Sequence, residues 1–229
     1  MDSMICKLRA AGLGAVIGNY YFGCLLYADD ILLVCHSVTV MQLMLDICSK
    51  EAEQLDFTFN AVKSVALRIG PRYRHVCAPL VLSGSSLAYV EQTKYLGAML
   101  KSARSFKCTL DHVKIKFYRC FNAILYRAKN AGSELVCVHL LKTVCMPALL
   151  YAVEVLPLTK SDVAMLSHLI DRSVFRIFGC SSPEDVQFIR SALDLPCVSY
   201  CLYDRLNRFL CVFRRSFSWA ATLIHVVCC

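Results

Sequence analysis

Apolar residues follow two rhythms along this chain. Through the first hundred residues they come in short runs broken by turn formers. The opening "MDSMICKLRAAGLGAVIGNYYFGCLLYADD" predicts a helix tail, a break at Gly12 and Gly14, and a strand, with Gly18-Asn19 as hairpin turn residues. "FGCLLY" and "ILLVC" predict two further strands, with Asp29 and Asp30 in the tight turn between what should be two buried strands. Next, Val40, Leu43, Met44, Ile47, Cys48 and Leu55 take up the three-four spacing of one helical face, which Ser37 or Thr39 can cap. "FTFN" and "SVALRI" then read as strands, "PLVLSGSSLAYV" as a hairpin turning at Ser83-Gly84, and "YLGAML" as a short strand.

From about Ala103 the period becomes helical. One helix covers "TLDHVKIKFYRCFNAILYRAKNA", with Phe117, Phe121, Ile124, Leu125 and Ala128 as its apolar face and Gly132 as its stop. Ser133 can cap the next helix, which Pro147 should bend or end. "TKSD" at 159–162 has the spacing of a capping box ahead of Leu166, Leu169, Ile170, Val174 and Ile177, with a stop at Gly179. "SPED" places Ser182 as a cap and Pro183 at the first helical position, and a last helix starts near Ser199. The pattern is α+β, with a soft boundary near residue 100 between a mixed part, 1–100, and a helical part, 101–229.

Composition changes this picture in two ways. A 57% hydrophobic content is high, yet no run reaches 18 uninterrupted apolar residues; "VHLLKTVCMPALLYAVEVLPL" is broken by Lys142, Pro147 and Glu154. No secretory pattern opens the chain. The expectation is a piece of something larger, with faces meant for neighbours, rather than a membrane protein. The fifteen cysteines are scattered through apolar segments with no C-x-x-C pair, which argues for buried, reduced thiols and an intracellular compartment. The groups Cys137, His139, Cys145 and Cys197, Cys201 come nearest to metal-ligand spacing without reaching it.

Charge adds a second asymmetry. Residues 1–97 hold eight Lys or Arg against eight Asp or Glu, whereas residues 98–229 hold seventeen against nine, so the whole net charge of +8 lies in the second part. A polyanion partner for that half is one explanation and a solvated basic surface the other. Lys116, Arg119 and Arg127 share a face of one predicted helix, and Arg205, Arg208 and Arg215 a face of the last.

Asp29-Asp30 carries the chemistry. As turn residues the two need no function. In apolar surroundings, however, adjacent anions repel, and a divalent cation removes that penalty. Mg²⁺ takes one or two carboxylates plus phosphate oxygens and water, and a pair of such ions can clamp the attacking and leaving oxygens of a phosphoryl displacement.

"YADD" between apolar strands resembles the catalytic hairpin of reverse transcriptases. "FNAVKS" at 59–64 resembles the family's Asn-x-x-Lys-Ser/Thr segment, and "YLGAML" at 95–100 its Tyr-Leu-Gly strand. "LLYAVEVLPL" followed by "LIDRSVFRIFG" is similar to the thumb of non-LTR (LINE-type) retrotransposon enzymes. The ordered match spans roughly residues 10 to 180. It implies part of a polymerase palm (antiparallel hairpins with one helix) followed by an all-helical thumb and connection region. Asp29 and Asp30 would hold Mg²⁺, and Tyr27 and Ala28 would lie beneath the primer terminus. Lys63 would steady the departing pyrophosphate, with Asn60 shaping its loop. Tyr95, Leu96 and Gly97 would grip the primer. The basic stripes of Lys116, Arg119, Arg127 and of Arg205, Arg208, Arg215 would contact phosphates of an RNA template and DNA primer, with deoxynucleotides as substrates.

In that family a further aspartate and the fingers precede the hairpin in chain order, whereas here the only carboxylate ahead of Asp29 is Asp2. The expectation is therefore a C-terminal fragment that does not polymerise on its own. The alternative is a non-catalytic nucleic-acid-binding remnant or domesticated module.

Overall fold

A computed structural model describes residues 2–129, 133–180 and 182–215, and over these the chain is a mixed α+β protein. It divides into two compact units: Met1–Thr93 with Lys101–Phe106, and Lys94–Leu100 with Lys107–Cys229.

The first unit runs α1 (Asp2–Ala10), β1 (Val16–Ile17), β2 (Tyr20–Tyr21), β3 (Cys24–Tyr27), β4 (Asp30–Leu33), α2 (Val38–Gln54), β5 (Val65–Leu67), β6 (Leu80–Leu82) and β7 (Ser85–Val90). Gly18-Asn19 turns β1 into β2, as the sequence predicts. Two glycines seat this small ribbon: a Cβ on Gly14 would stand 2.6 Å from the Cα of Gly23, and one on Gly23 would stand 2.5 Å from the Tyr21 hydroxyl. Only residues without side chains permit that approach.

Helix α2 is buried on two flanks. Met44 and Cys48 pack with Met4, Leu8 and Cys24, while Leu45 packs with Leu80, Leu82 and Leu87. Its apolar face is therefore rotated from the predicted one. Leu43 is 47% exposed and Leu55 50%, because the β6–β7 ribbon draws Leu45 inward instead. Gln42 fastens that contact, its side chain donating to the Val81 carbonyl at 2.8 Å and accepting from the Val81 N–H at 2.8 Å. Glu51, only 3% exposed, pairs with Lys7 of α1 and accepts from the Ser3 hydroxyl at 3.0 Å. The Lys7 ammonium holds its carboxyl below the usual range, against the opposing effect of burial.

β6 and β7 form the predicted hairpin at Ser83-Gly84, but β5 joins β7 in parallel, giving the order β5-β7-β6. "FTFN" is a loop rather than a strand: Phe57 and Phe59 meet edge to face at 5.2 Å and pack into the core from irregular backbone.

In the second part of the chain, β8 (Gln92–Tyr95), β9 (Ala98–Lys101) and β10 (Lys107–Thr109) form a sheet of order β10-β9-β8. The "YLGAML" segment is thus a hairpin and not one strand. Leu96 (φ +45°) and Gly97 (φ +88°) form its two-residue turn, and both adopt the left-handed backbone that such turns require. β10 is a strand where the sequence reads as already helical.

The helices follow: α3 (Asp111–Lys129), α4 (Glu134–Leu140), α5 (Met146–Leu149), α6 (Lys160–Phe178), α7 (Pro183–Ala192) and α8 (Val198–Arg215). Phe117, Phe121, Leu125 and Ala128 of α3 are buried as predicted, together with Leu166, Leu169, Ile170 and Val174 of α6. The predicted stop at Gly132 lies outside the described residues. Ser133 caps α4, accepting from the Val136 N–H. Thr159 with Asp162 and Ser182 with Asp185 form two complete capping boxes, and Gly179 ends α6 in the left-handed conformation.

Pro147 acts earlier than expected. It cannot donate to the Thr143 carbonyl and its ring would collide there, and the chain widens into a π-helical turn over Leu141–Cys145 just before it. Glu134–Val155 is long and apolar enough to cross a membrane by length and composition, but 44% of its most apolar window is buried inside the protein. Cys137, Leu141, Cys145 and Leu149 from this stretch belong to the helical core.

Candidate functional site

The Asp29-Asp30 hairpin forms because four residue pairs lock into antiparallel register, Cys24↔Leu33, Leu25↔Leu32, Leu26↔Ile31 and Tyr27↔Asp30. Ala28 and Asp29 make the turn, with Ala28 at φ +53°, a conformation that costs an L-residue energy and that glycine usually fills. Alternation sends Cys24, Leu26, Ile31 and Leu33 toward α1 and α2, where they pack with Met4, Leu8, Met44 and Cys48. Leu25, Tyr27, Leu32 and Asp30 share the opposite face.

That face is open. Tyr27 is 64% exposed, and Asp29 and Asp30 are both exposed. The expectation of two buried strands fails: helices cover one side only of a two-stranded ribbon. Burial therefore exerts no pressure on the carboxylates, and what remains is their placement, side by side at a solvent-facing tip beside an aromatic ring. Two adjacent carboxylates reachable from water suit a hard cation such as Mg²⁺ as a partial ligand set, with water and substrate oxygens completing the shell. Among the described residues no cluster of three or more His, Cys, Asp or Glu could hold a metal ion.

Asn60 and Lys63 share one turn. The Asn60 side chain accepts from the Lys63 N–H at 3.1 Å, and its carbonyl accepts from the Ser64 hydroxyl at 2.9 Å, so Asn60 orders the loop that presents Lys63. The Lys63 side chain is exposed. Tyr95 ends β8, and Leu96 and Gly97 make the β8–β9 turn, held by a 3.0 Å hydrogen bond between His112 Nε2 and the Gly97 carbonyl. A Cβ on Gly97 would lie 2.7 Å from the Tyr151 ring, so the close approach this glycine allows is to the protein's own side chain.

Lys116, Arg119 and Arg127 are exposed on α3, within about 80° of arc at 3.6 residues per turn, and none forms an ion pair among the described residues. The α8 stripe is different. Arg205 donates to the Leu150 carbonyl at 2.8 Å, and Arg208 pairs with Asp204 at 2.6 Å, so both are engaged within the protein. The side chain of Arg215 lies outside the described residues.

One basic feature escapes the sequence reading. Lys114, Tyr118, Met165, His168, Leu169, Arg172 and Arg176 line a cleft of about 410 Å³ between α3 and α6. Its signal is the four-residue spacing of Lys114, Tyr118 and Asn122 on one helix and of His168, Arg172 and Arg176 on another. Neither row stands out until packing brings the two together.

Compared with protein-family models, curated proteins and solved structures, the chain matches none.

Proposed function

We propose that this chain is a reverse transcriptase fragment of the non-LTR (LINE-type) kind, a partial palm carrying the YADD hairpin followed by a helical thumb and connection region. The observation that carries the reading is the Asp29-Asp30 pair at the exposed tip of a two-residue hairpin, with the Tyr27 ring on the same face as Asp30. Bound there, Mg²⁺ would neutralise the two carboxylates and stabilise the oxygens exchanged in adding a deoxynucleotide to a primer. Asp29 and Asp30 present the oxygens. Ala28, tight in the turn, keeps the tip narrow, and Tyr27 offers a ring face to the primer-terminal base pair. Lys63, on the loop ordered by Asn60, supplies a cation for a departing pyrophosphate, and Tyr95, Leu96 and Gly97 form a primer grip. RNA template and DNA primer are the partners, inside the cell.

Two carboxylates are a partial ligand set, and nucleotidyl transfer depends on positioning and charge stabilisation, so the isolated chain is expected not to extend a primer. Affinity for an RNA template–DNA primer duplex, measured in Mg²⁺ and in EDTA, tests the reading. Tighter binding in Mg²⁺ that disappears in Asp29→Asn/Asp30→Asn supports it; equal affinity in both conditions and both proteins contradicts it. Extension by the wild-type chain that Asp29→Ala abolishes would keep the lineage and overturn the inactivity.

A second reading is a non-catalytic nucleic-acid-binding module. It is favoured by the exposed Lys116, Arg119 and Arg127, which no carboxylate neutralises among the described residues. Charge reversal at these three would abolish binding in that case, with Asp29→Ala silent.

A further inference from the structure

The α3–α6 cleft is cationic by construction. Lys114 comes from α3 and His168, Arg172 and Arg176 come from α6, while no carboxylate lines it. Asp171, the nearest acid in sequence, is held away by Arg190 at 2.5 Å. None of Lys114, Arg172 and Arg176 forms an ion pair among the described residues, so three fixed positive charges share one recess without neutralisation.

One of these charges is also held in place. Arg176 donates to the Asn122 side chain at 2.6 Å, and its guanidinium lies 5.5 Å from the centre of the buried Phe121 ring. Both contacts fix it from the α3 side, which reduces the entropy lost when a ligand binds. His168, Arg172 and Arg176 stand one turn apart, a step of about 6 Å along the helix axis. A row at that interval suits successive phosphates of an extended strand better than a single small anion.

The floor of the cleft gives the second half of the recognition. Tyr118 and Met165 are half-buried, Leu169 is buried, and Tyr118 meets Phe117 edge to face at 5.8 Å. An aromatic and apolar floor between cationic side chains can meet base faces only if the bases are unpaired. Positive charge along a groove combined with a ring for stacking is the pattern of single-strand binding.

We propose that the α3–α6 cleft is a single-stranded nucleic-acid site, in which Arg172 and Arg176 take consecutive backbone phosphates, Lys114 contacts a phosphate from the facing helix and Tyr118 stacks on a base. The inference rests on the nucleic-acid reading of the helical part and is independent of the metal site.

The test is fluorescence anisotropy of a labelled oligo(dT) with the full chain across a salt series. Lys114→Glu/Arg172→Glu is expected to weaken binding at least tenfold. Neutral Lys114→Gln/Arg172→Gln, which disturbs folding less, should flatten the slope of log affinity against log salt by about 1.4, two contacts at 0.7 each. Tyr118→Leu should weaken binding with the slope unchanged. Lys50→Glu/Lys160→Glu, an equal change in net charge at exposed lysines outside the cleft, should bind as wild type does. If both cleft doubles bind with wild-type affinity and slope while charge reversal at Lys116, Arg119 and Arg127 abolishes binding, the cleft is overturned and the nucleic-acid reading survives. Absence of wild-type binding at low salt overturns both. Pyrophosphate binding as tightly as the oligonucleotide, by direct competition, overturns the strand in favour of a small-anion pocket.

Discussion

The two units hold themselves together by different means. Among the described residues the helical unit has one continuous core of twenty-one buried side chains, centred on Phe117, Phe121, Leu166 and Ile170. The hairpin-bearing unit has two smaller clusters that share Leu33 and Phe59 at their edges, among the described residues five buried side chains around Met4 and Met44 and four around Leu45 and Leu80. A large core tolerates local irregularity such as the π-helical turn before Pro147. Small cores depend on individual fittings: two glycines in contact, a Gln42 clasp on a strand edge, and an ion pair between buried Glu51 and half-exposed Lys7. The chemistry of each unit follows its build. Carboxylates stand at the tip of a thin ribbon covered on one side, and cations line a recess between two well-packed helices.

The comparison breaks first at Phe121. Truncating this fully buried ring leaves a cavity at the centre of the helical core, so Phe121→Ala should cost about 3–5 kcal/mol by chemical denaturation followed through helical circular dichroism. A loss under 1 kcal/mol would mean that the core is not continuous.

A smaller effect is expected from adding a single methyl group in the first unit. Gly14→Ala brings a Cβ to 2.6 Å from the Gly23 backbone at φ +107°, so overpacking and backbone strain act together, at about 1–3 kcal/mol. Hydrogen exchange should report the loss in α1, α2 and the β3–β4 hairpin, with α3 and α6 unaffected.

The smallest effect is tied to pH. Glu51's carboxyl is held low by Lys7 in the folded state, so the folded form binds its proton more weakly than the unfolded form does. The resulting stability is present above the unfolded carboxylate pKa and disappears as pH falls through the depressed folded value. Glu51→Gln should remove that acid-side decline in the first unit while leaving the helical unit's profile unchanged.

Much of this was legible because it is locally encoded. Thr159 with Asp162 and Ser182 with Asp185 satisfy helix ends within four residues, and the Ala28-Asp29 turn is bounded by apolar runs whose pairing has one register. What was hidden depends on distant partners. Leu45 replaces Leu43 in the core only because β6 and β7 return to cover it. The β8–β9 turn is disguised by Leu96, which takes a left-handed backbone that sequence alone assigns to glycine or asparagine. Phe57 and Phe59 alternate like strand residues yet pack on each other from a loop. The basic cleft needs α3 and α6 side by side, and the solvent exposure of Asp29 and Asp30 depends on what covers the hairpin, which no window of neighbouring residues contains.

The central claim, that the hairpin tip is a divalent-metal site, is most directly tested by paramagnetic relaxation. Substoichiometric Mn²⁺ added to isotope-labelled protein should broaden the amide signals of residues 27–31 before any others, and excess Mg²⁺ should reverse the effect. Asp29→Asn/Asp30→Asn should abolish it. Broadening that is centred elsewhere, or that persists unchanged in the double variant, would contradict the account.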